Sequence, residues 1–545
     1  MRIIIIGGVA AGTSAAAKAR RNSETAEIVI YDKDSHISYA GCGMPYYLGG
    51  EIESADELAP RDSAFFKAEY NVDVHTKHEV LSINSADKTL EVRNLLTDKV
   101  FTDSYDKLII ATGAQASVPP IQGVKNEHVF TLRTITDMNK IKSFFDSNNP
   151  KSTVIVGTGF IGLEMAENLV ALGTDVTMVE MLPQVTPGLD SDMAIYVEEH
   201  LNEKGVTVFT ETSANEITDD SVVLSNGKSI PADLVILATG ARPNVELARQ
   251  AGVEIGTTGA IKVDEKMRTN IDAIYAAGDC AEQFHVVTGK PVYRPLGSTA
   301  NKTGRIAGHN VTGGDLSFRG VLGTGIFQVF DLTVAQTGLS EREAREAGYD
   351  VVINHNIKPN KPEYMNSEEM NIKGIADRKT SKLLGAQIIG GAGVDKRIDV
   401  LVTAITFGAK VDDLFHLDLA YAPPYSSSKD PVMYTGMIFD NIINGERPLI
   451  TAKELNDLIN SGEKVQVIDT RAKEKYEEAH IKGAINIPLV GLRESAKELD
   501  KNLQTVVYCN RGITGNAAQS ILLNLGFNKV YNLSGGHTHY SKVNS

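Results

Sequence analysis

The chain has 545 residues, 42% hydrophobic and 23% charged, with a formal net charge of −15, three cysteines and no tryptophan. That composition is ordinary for a globular protein of three or four domains at roughly 150 residues each, and it excludes disorder, a collagen-like rod and a disulfide-stapled secreted scaffold. The acidic balance argues against a nucleic-acid partner, no run approaches the roughly 18 apolar residues of a membrane span, and three scattered cysteines suit a reducing cytoplasm, the expected location.

The apolar start is too short for a signal peptide and reads as a buried strand, Arg2–Ile6, entering Gly7-Gly8-Val9-Ala10-Ala11-Gly12. An alanine-rich helix through Arg21 and a strand Glu27–Tyr31, ending at Asp32-Lys33, complete a βαβ unit. The plan recurs as Ser152–Val156, Gly157-Thr158-Gly159-Phe160-Ile161-Gly162, a helix through Leu172, and Asp175–Val179 ending at Glu180. In each unit the acid follows the last glycine by 18 to 20 residues, so a helix N-terminus takes a pyrophosphate while the acid takes a ribose hydroxyl pair. One such fingerprint is weak; two in the same order predict dinucleotide binding.

Between the units lies Ser38-Tyr39-Ala40-Gly41-Cys42-Gly43-Met44-Pro45-Tyr46-Tyr47. Its glycines allow close approach to a flat ligand, and Pro45 suits the first turn of a helix. A cysteine at a helix N-terminus is expected to have a lowered pKa and a nucleophilic thiolate; the alternative is a small buried hydrophobe. No C-x-x-x-x-C pair accompanies Cys42, so it must receive an electron pair alone, through an external sulfur or oxygen adduct. Cys280, beside Asp279, reads as structural filler. The twelve histidines show no metal-ligand spacing, and no metal is expected.

Leu108–Ala114 and Leu234–Ala241 echo each other as strands running into Ala-Thr-Gly, and Ile274–Cys280 is a further strand delivering Asp279. With the two glycine turns, these five ordered motifs resemble the two-dinucleotide flavoprotein disulfide reductases over about residues 1 to 440. The resemblance implies FAD at Gly7, Gly8, Ala10, Ala11, Gly12, Asp32 and Lys33, and a nicotinamide dinucleotide at Gly157, Gly159, Phe160, Ile161, Gly162 and Glu180. It also implies domain crossings at Thr112-Gly113 and Gly240, with Asp279 on the ribityl chain or pyrophosphate. Met181 rather than an arginine follows Glu180, and an acid repels a 2′-phosphate, so NADH is expected and NADPH is left open. Pro295–Arg305 resembles the family's flavin-contacting helix start, with Ala300 at the cofactor and Asn301 and Arg305 where relatives contact ligand.

The context of Cys42 resembles the single-cysteine branch of that family: coenzyme A-disulfide reductases, NADH oxidases and peroxidases. The peroxidases carry a histidine in the first glycine turn where this chain has Ala10, which favours a thiol adduct; the coenzyme A-disulfide enzymes usually have asparagine where this chain has Gly41. The resemblance implies a coenzyme A substrate meeting Ser38, Asn301, Arg305, Arg20 and Arg21, although the two arginines late in the first helix read equally as a solvated face. It further implies a homodimer through residues about 320 to 440, each subunit completing its partner's site. In Tyr421–Ser426 the acid or hydrogen-bond donor to a leaving thiolate is Tyr425; Tyr364 is a second candidate, read equally as a core or surface tyrosine.

Asn444–Pro448 reads as a linker, and Thr451–Glu454 as a capping box opening a helix that closes near Ser461-Gly462. Strands at Val465–Arg471, Ala484–Pro488 and Thr505–Cys509 alternate with helices in a small α/β domain. Cys509-Asn510-Arg511-Gly512-Ile513-Thr514-Gly515 precedes a helix Asn516–Leu525; such a loop turns its amides toward one point, an anion nest that keeps the leading cysteine as thiolate. With Asp469-Thr470-Arg471 and Gly535-Gly536-His537 it resembles a rhodanese sulfurtransferase loop, which implies a Cys509 persulfide and a binding role for Arg511.

The expected fold is α/β. An FAD domain (1–117 and 245–319) surrounds an NAD(P)H domain (118–244), both Rossmann-like, followed by an α+β dimerisation domain (320–444) and a rhodanese-like domain (445–545). The expected function is FAD- and NAD(P)H-dependent reduction of sulfur–sulfur bonds in coenzyme A persulfide, polysulfide or coenzyme A disulfide, with Cys509 as sulfur carrier. Its rivals are an NADH oxidase or peroxidase cycling Cys42 through a sulfenic acid, and a flavin-bound sulfur sensor or scaffold.

Overall fold

In the computed structural model, which describes residues 1–544, Arg2–Ile6 is the central strand of a five-stranded parallel sheet because Ile3, Ile4 and Ile5 are fully buried. The order is Ile274–Ala276, Lys107–Ile110, Arg2–Ile6, Glu27–Tyr31, Asp73–His75. A second parallel sheet runs Thr207–Phe209, Asp175–Val179, Ser152–Val156, Leu234–Leu237, Val129–Thr131, so the two βαβ units occupy equivalent central places. The two chain crossings, Ala114–Ala116 and Ala241–Pro243, pair antiparallel. These elements belong to one compact unit, residues 1–185 with 201–323.

The first helix, Ala10–Asn22, is rich in alanine because the helix Gly297–Asn310 lies against it at backbone distance. A Cβ on Gly304 would stand 2.2 Å from the Ala11 carbonyl oxygen, and one on Gly308 2.2 Å from that of Ala15. Gly12 is held likewise: its Cβ would stand 1.8 Å from the Gly7 carbonyl oxygen, as that of Gly162 would stand 2.2 Å from Gly157. Helix and strand can therefore meet only through glycine.

The second unit comprises residues 186–200 and the chain from Thr324 on. Its antiparallel sheet runs Gly325–Val329, Leu332–Gly338, Leu383–Gly390, Glu369–Asp377, Val351–Pro359, covered by the helices Val394–Thr406 and Pro431–Ile443. A parallel sheet follows in the order Leu449–Ile450, Val530–Leu533, Gln504–Tyr508, Val465–Asp469, Ile485–Asn486. The capping box at Thr451 and Glu454 forms, and its helix ends at Asn460. The strand expected at Ala484–Pro488 shrinks to Ile485–Asn486, at the sheet edge, and the last-loop helix begins early, at Ile513. Among the described residues no helix is long and apolar enough to cross a membrane.

Candidate active sites

At the first glycine turn, Gly7 holds φ +104° and the Gly8 amide donates to Asp32 Oδ2 at 2.7 Å. Asp32 is buried at the strand end, and burial raises its pKa. The second turn repeats this: Gly157 holds φ +105°, and Glu180 Oε2 accepts from the Thr158 amide and hydroxyl at 3.1 and 2.7 Å. Gly159 meets nothing within 4 Å of a Cβ, so Val9 at the matching place in the first turn is sterically admissible. Gly113 and Gly240, both at positive φ, also face open space. These cradles, with buried acids at both strand ends, fit FAD at the first unit and a nicotinamide dinucleotide at the second. Lys33 is exposed beside Asp32, and Ala300 is buried on the helix that packs against the first turn. Phe160 and Ile161 open the second unit's helix. Asp279 lies in the short turn Gly278–Cys280 and is held at 2.6 Å by Arg133, a partner that no local motif announces. Cys280 is fully buried, with its thiol directed at the Ile110 and Ala277 carbonyls, as filler should be.

Cys42 is exposed in the three-residue turn Gly41–Gly43, just ahead of the helix Met44–Gly49 with Pro45 in its first turn. That helix packs on Phe160–Ala171, where Gly49 leaves no room for a side chain beside Asn168. The same packing brings Glu164 into electrostatic range of the thiol. The expected lowering of the Cys42 pKa is overturned among the protein's own groups. Desolvation, then the Glu164 carboxylate, raise it, and Arg133 opposes them. Burial and the neighbouring Glu167 push the Glu164 carboxyl up to about 7. Glu164→Gln should therefore speed iodoacetamide alkylation of Cys42 roughly three- to tenfold above pH 7, where Glu164 is ionised. Below that pH, where Glu164 is protonated, the two proteins should converge; a constant ratio across pH 5.5 to 8.5 would disprove the coupling.

A cavity of about 460 Å³ opens beside this segment. Its walls include Ala10, Ser38, Tyr39, Ala40, Arg21, Asn301 and Arg305, so four of the five expected substrate residues converge. Ser38 lies in the left-handed region at φ 51°, its amide donating to the Gly8 carbonyl at 2.8 Å. Arg20 is the exception and is withdrawn from the site. It is 5% exposed, and its guanidinium is consumed by the carbonyls of Ser23, Glu24, Tyr70 and Asn71 at 2.8 to 2.9 Å. Sequence reasoning missed Arg61 and Tyr70, which complete the wall; Arg21 lies 5.6 Å from the Tyr70 ring centroid.

In the second unit, Cys509 directly follows the strand Gln504–Tyr508 and is almost fully buried, its carbonyl accepting from the His537 amide at 2.8 Å. Gly512 takes φ +88° ahead of the helix Ile513–Asn524. Asp469 and Arg471 form a 2.6 Å buried pair behind the loop, and Arg511 pairs with Glu369. Tyr425 and Tyr364 are each 74% exposed, so both phenols are accessible from solvent. Asp192, His355 and His539 offer three ligand-type atoms within 4.8 Å of one another, a grouping that spacing does not reveal. Lys373, at 2.8 and 2.9 Å from the two Asp192 oxygens, already fills the role of cation there.

Three family descriptions match the sequence: pyridine nucleotide-disulphide oxidoreductase over residues 1–300, the dimerisation domain of that family over 325–431, and rhodanese-like domain over 451–542. A protein described as NAD(P)H sulfur oxidoreductase (CoA-dependent), from Pyrococcus furiosus, is 39% identical over 438 residues, which are 79% of this chain and 97% of that one. Two solved structures match over nearly the whole length. Reduced Bacillus anthracis CoADR-RHD has a TM-score of 0.97 at 38% identity, covering 99% of this chain and 98% of its own. An NAD-dependent persulfide reductase from A. fulgidus has a TM-score of 0.92 at 40% identity, with 99% and 100% covered.

Proposed function

The chain belongs to the pyridine nucleotide-disulphide oxidoreductase family and carries a rhodanese-like domain, and from that premise we propose that it is an FAD-dependent NAD(P)H reductase of sulfur–sulfur bonds acting on coenzyme A persulfide or coenzyme A disulfide. One observation carries the reading: a free thiol, Cys42, stands two residues from the wall of a cavity that presents Arg21, Arg61 and Arg305. Three guanidinium groups suit the phosphates of coenzyme A, and a lone accessible thiol suits a mixed disulfide.

When bound at the first unit, FAD supplies the two-electron chemistry that links NAD(P)H to sulfur. The chain's own part begins with the Cys42 thiolate, which attacks the substrate sulfur–sulfur bond. One such bond breaks and another forms, giving Cys42–S–S–CoA and releasing hydrosulfide from a persulfide, or coenzyme A thiolate from a disulfide. Tyr425 of the partner subunit protonates the departing thiolate, in a homodimer built through the dimerisation domain. The balance is CoA–S–SH + NADH + H⁺ giving CoA–SH + H₂S + NAD⁺. Cys509 carries sulfane sulfur: Cys509–S–SH and a coenzyme A thiolate exchange to Cys509 thiolate and coenzyme A persulfide. A plain disulfide needs no such carrier, so the fused domain favours the persulfide as substrate. The division proposed is an FAD domain (1–117 and 245–319), an NAD(P)H domain (118–244), a dimerisation domain (320–444) and a rhodanese-like domain (445–545).

Steady-state NADH oxidation against coenzyme A persulfide, coenzyme A disulfide, polysulfide and peroxide tests this. Turnover with peroxide equal to that with coenzyme A persulfide would move the assignment to an oxidase or peroxidase. Cys509→Ala should lower thiocyanate formation from thiosulfate and cyanide by roughly a thousandfold, yet leave coenzyme A persulfide reduction within about twofold. Undiminished thiocyanate formation would remove Cys509 from the mechanism.

A further inference from the structure

Val351–Pro359 is the edge strand of the antiparallel sheet, yet eight of its nine residues are buried. Along one face, Asn354 and Asn356 donate to the Thr435 and Pro431 carbonyls of the covering helix at 3.2 and 2.8 Å. Lys358 comes next on that face. It is 8% exposed, and its ammonium sits 3.7 Å from the Tyr434 ring centroid. Among the described residues no carboxylate or hydrogen-bond acceptor is seated on that ammonium, an unusual condition for a lysine so little exposed.

Two ties hold the segments around Cys509 against the same strand. The His355 amide donates to Ser534 Oγ at 2.8 Å, and Glu369, opposite Pro359 in the ladder, pairs with Arg511. Glu369 pairs with Arg511, whereas Lys358, within electrostatic range of Cys509, has no carboxylate partner. We propose that Lys358 and the Cys509 loop form one composite anion site, in which a lysine of the dimerisation domain holds the anionic sulfane donor, and then the persulfide anion, at Cys509. The proposal rests on Cys509 being a sulfur carrier.

Thiosulfate is the probe. The Cys509 thiolate bonds to the outer sulfur, the thiosulfate sulfur–sulfur bond breaks, and sulfite leaves with the electron pair. Three negative charges gather at the loop throughout, a burden that a neighbouring ammonium offsets. The charged groups facing Lys358 are Cys509 and Arg511 from the loop and Lys429 from the turn before the helix. Burial first, then Arg511, lower its pKa to about 8, while Cys509 opposes them.

Thiocyanate formation is measured on the full-length, flavin-loaded enzyme, with coenzyme A disulfide reduction as the control for folding. K358M should lower kcat/KM for thiosulfate about tenfold or more, chiefly through KM, and K358R should restore most of it. The ratio of wild type to K358R should fall as pH rises through about 8, because only lysine loses its charge there. Wild-type kcat/KM in K358M, a K358R no better than K358M, or a pH-independent ratio would each overturn the proposal. Thiocyanate formation that survives Cys509→Ala would overturn it together with the sulfur-carrier reading, whereas loss in Cys509→Ala with none in K358M removes Lys358 alone.

Discussion

Cys42→Ser should lower NADH oxidation with coenzyme A persulfide or coenzyme A disulfide by roughly three orders of magnitude or more, while NADH still bleaches the bound flavin. A serine hydroxyl keeps the volume of the thiol but neither ionises near neutral pH nor forms a bond to sulfur that can be reduced. No other thiol of this unit can substitute, because Cys280 is sealed in the core with its hydrogen directed at backbone carbonyls. The loss should fall on kcat: the cavity wall from Ser14 to Arg305 is untouched by the substitution, so coenzyme A affinity should stay near wild type. Stopped-flow mixing separates the half-reactions, with NADH alone reporting flavin reduction and substrate added afterwards reporting reoxidation. Reoxidation at the wild-type rate in Cys42→Ser would exclude a Cys42 adduct.

Local repetition made the two dinucleotide units readable, because strand, glycine turn, helix and acid lie within about 30 consecutive residues in each. The small domain after residue 450 was readable for a similar reason, its capping box and cysteine loop being short-range patterns. The cavity was only partly readable. Ala10, Ser14, Ala17 and Arg21 form one stripe of the first helix, and Arg20 lies about 100° away, turned toward Tyr70 and Asn71. Only one of two adjacent arginines can therefore face the cavity. Glu164 and Arg133 needed tertiary contact: their effect on Cys42 and Asp279 depends on a helix and a loop brought together across more than a hundred residues. The Cys42 pKa was misjudged for the same reason, since a helix start is visible in sequence whereas the walls around it are not. Lys358 carries no motif at all; only the burial of an edge strand sets it apart.

Lys373→Met should destabilise the second unit by about 3–5 kcal/mol, since it removes the buried ammonium that three acids share. Lys373 is fully buried, with its ammonium at 3.2 Å from Asp190, 2.8 Å from Asp192 and 2.8 Å from Glu341. The cluster continues through His355, whose Nε2 lies 2.9 Å from Asp192 and whose ring stacks on His539 at 3.9 Å, so it joins the rhodanese-like domain to the dimerisation sheet. In the wild type the acid dependence has one sign throughout. Lys373 and His355 hold Asp192 below its ordinary pKa of 3.8, and Lys373 and Arg345 hold Glu341 below 4.5, so their contribution is complete above those values and fades as pH falls. Burial and the neighbouring His355 hold His539 well below 6.5; its unfolded form therefore gains a proton first, and stability begins to fall below about pH 6.5. Without the ammonium, the folded-state pKa values of Asp192 and Glu341 must rise. The variant should then lose less stability than wild type between pH 5 and 3.5, and its deficit should narrow as the medium is acidified. Urea unfolding at several pH values, followed by hydrogen exchange in the strand Glu369–Asp377, measures both effects. An unchanged midpoint at pH 7, or a deficit that widens in acid, would mean that the three carboxylates do not depend on Lys373 for their charge.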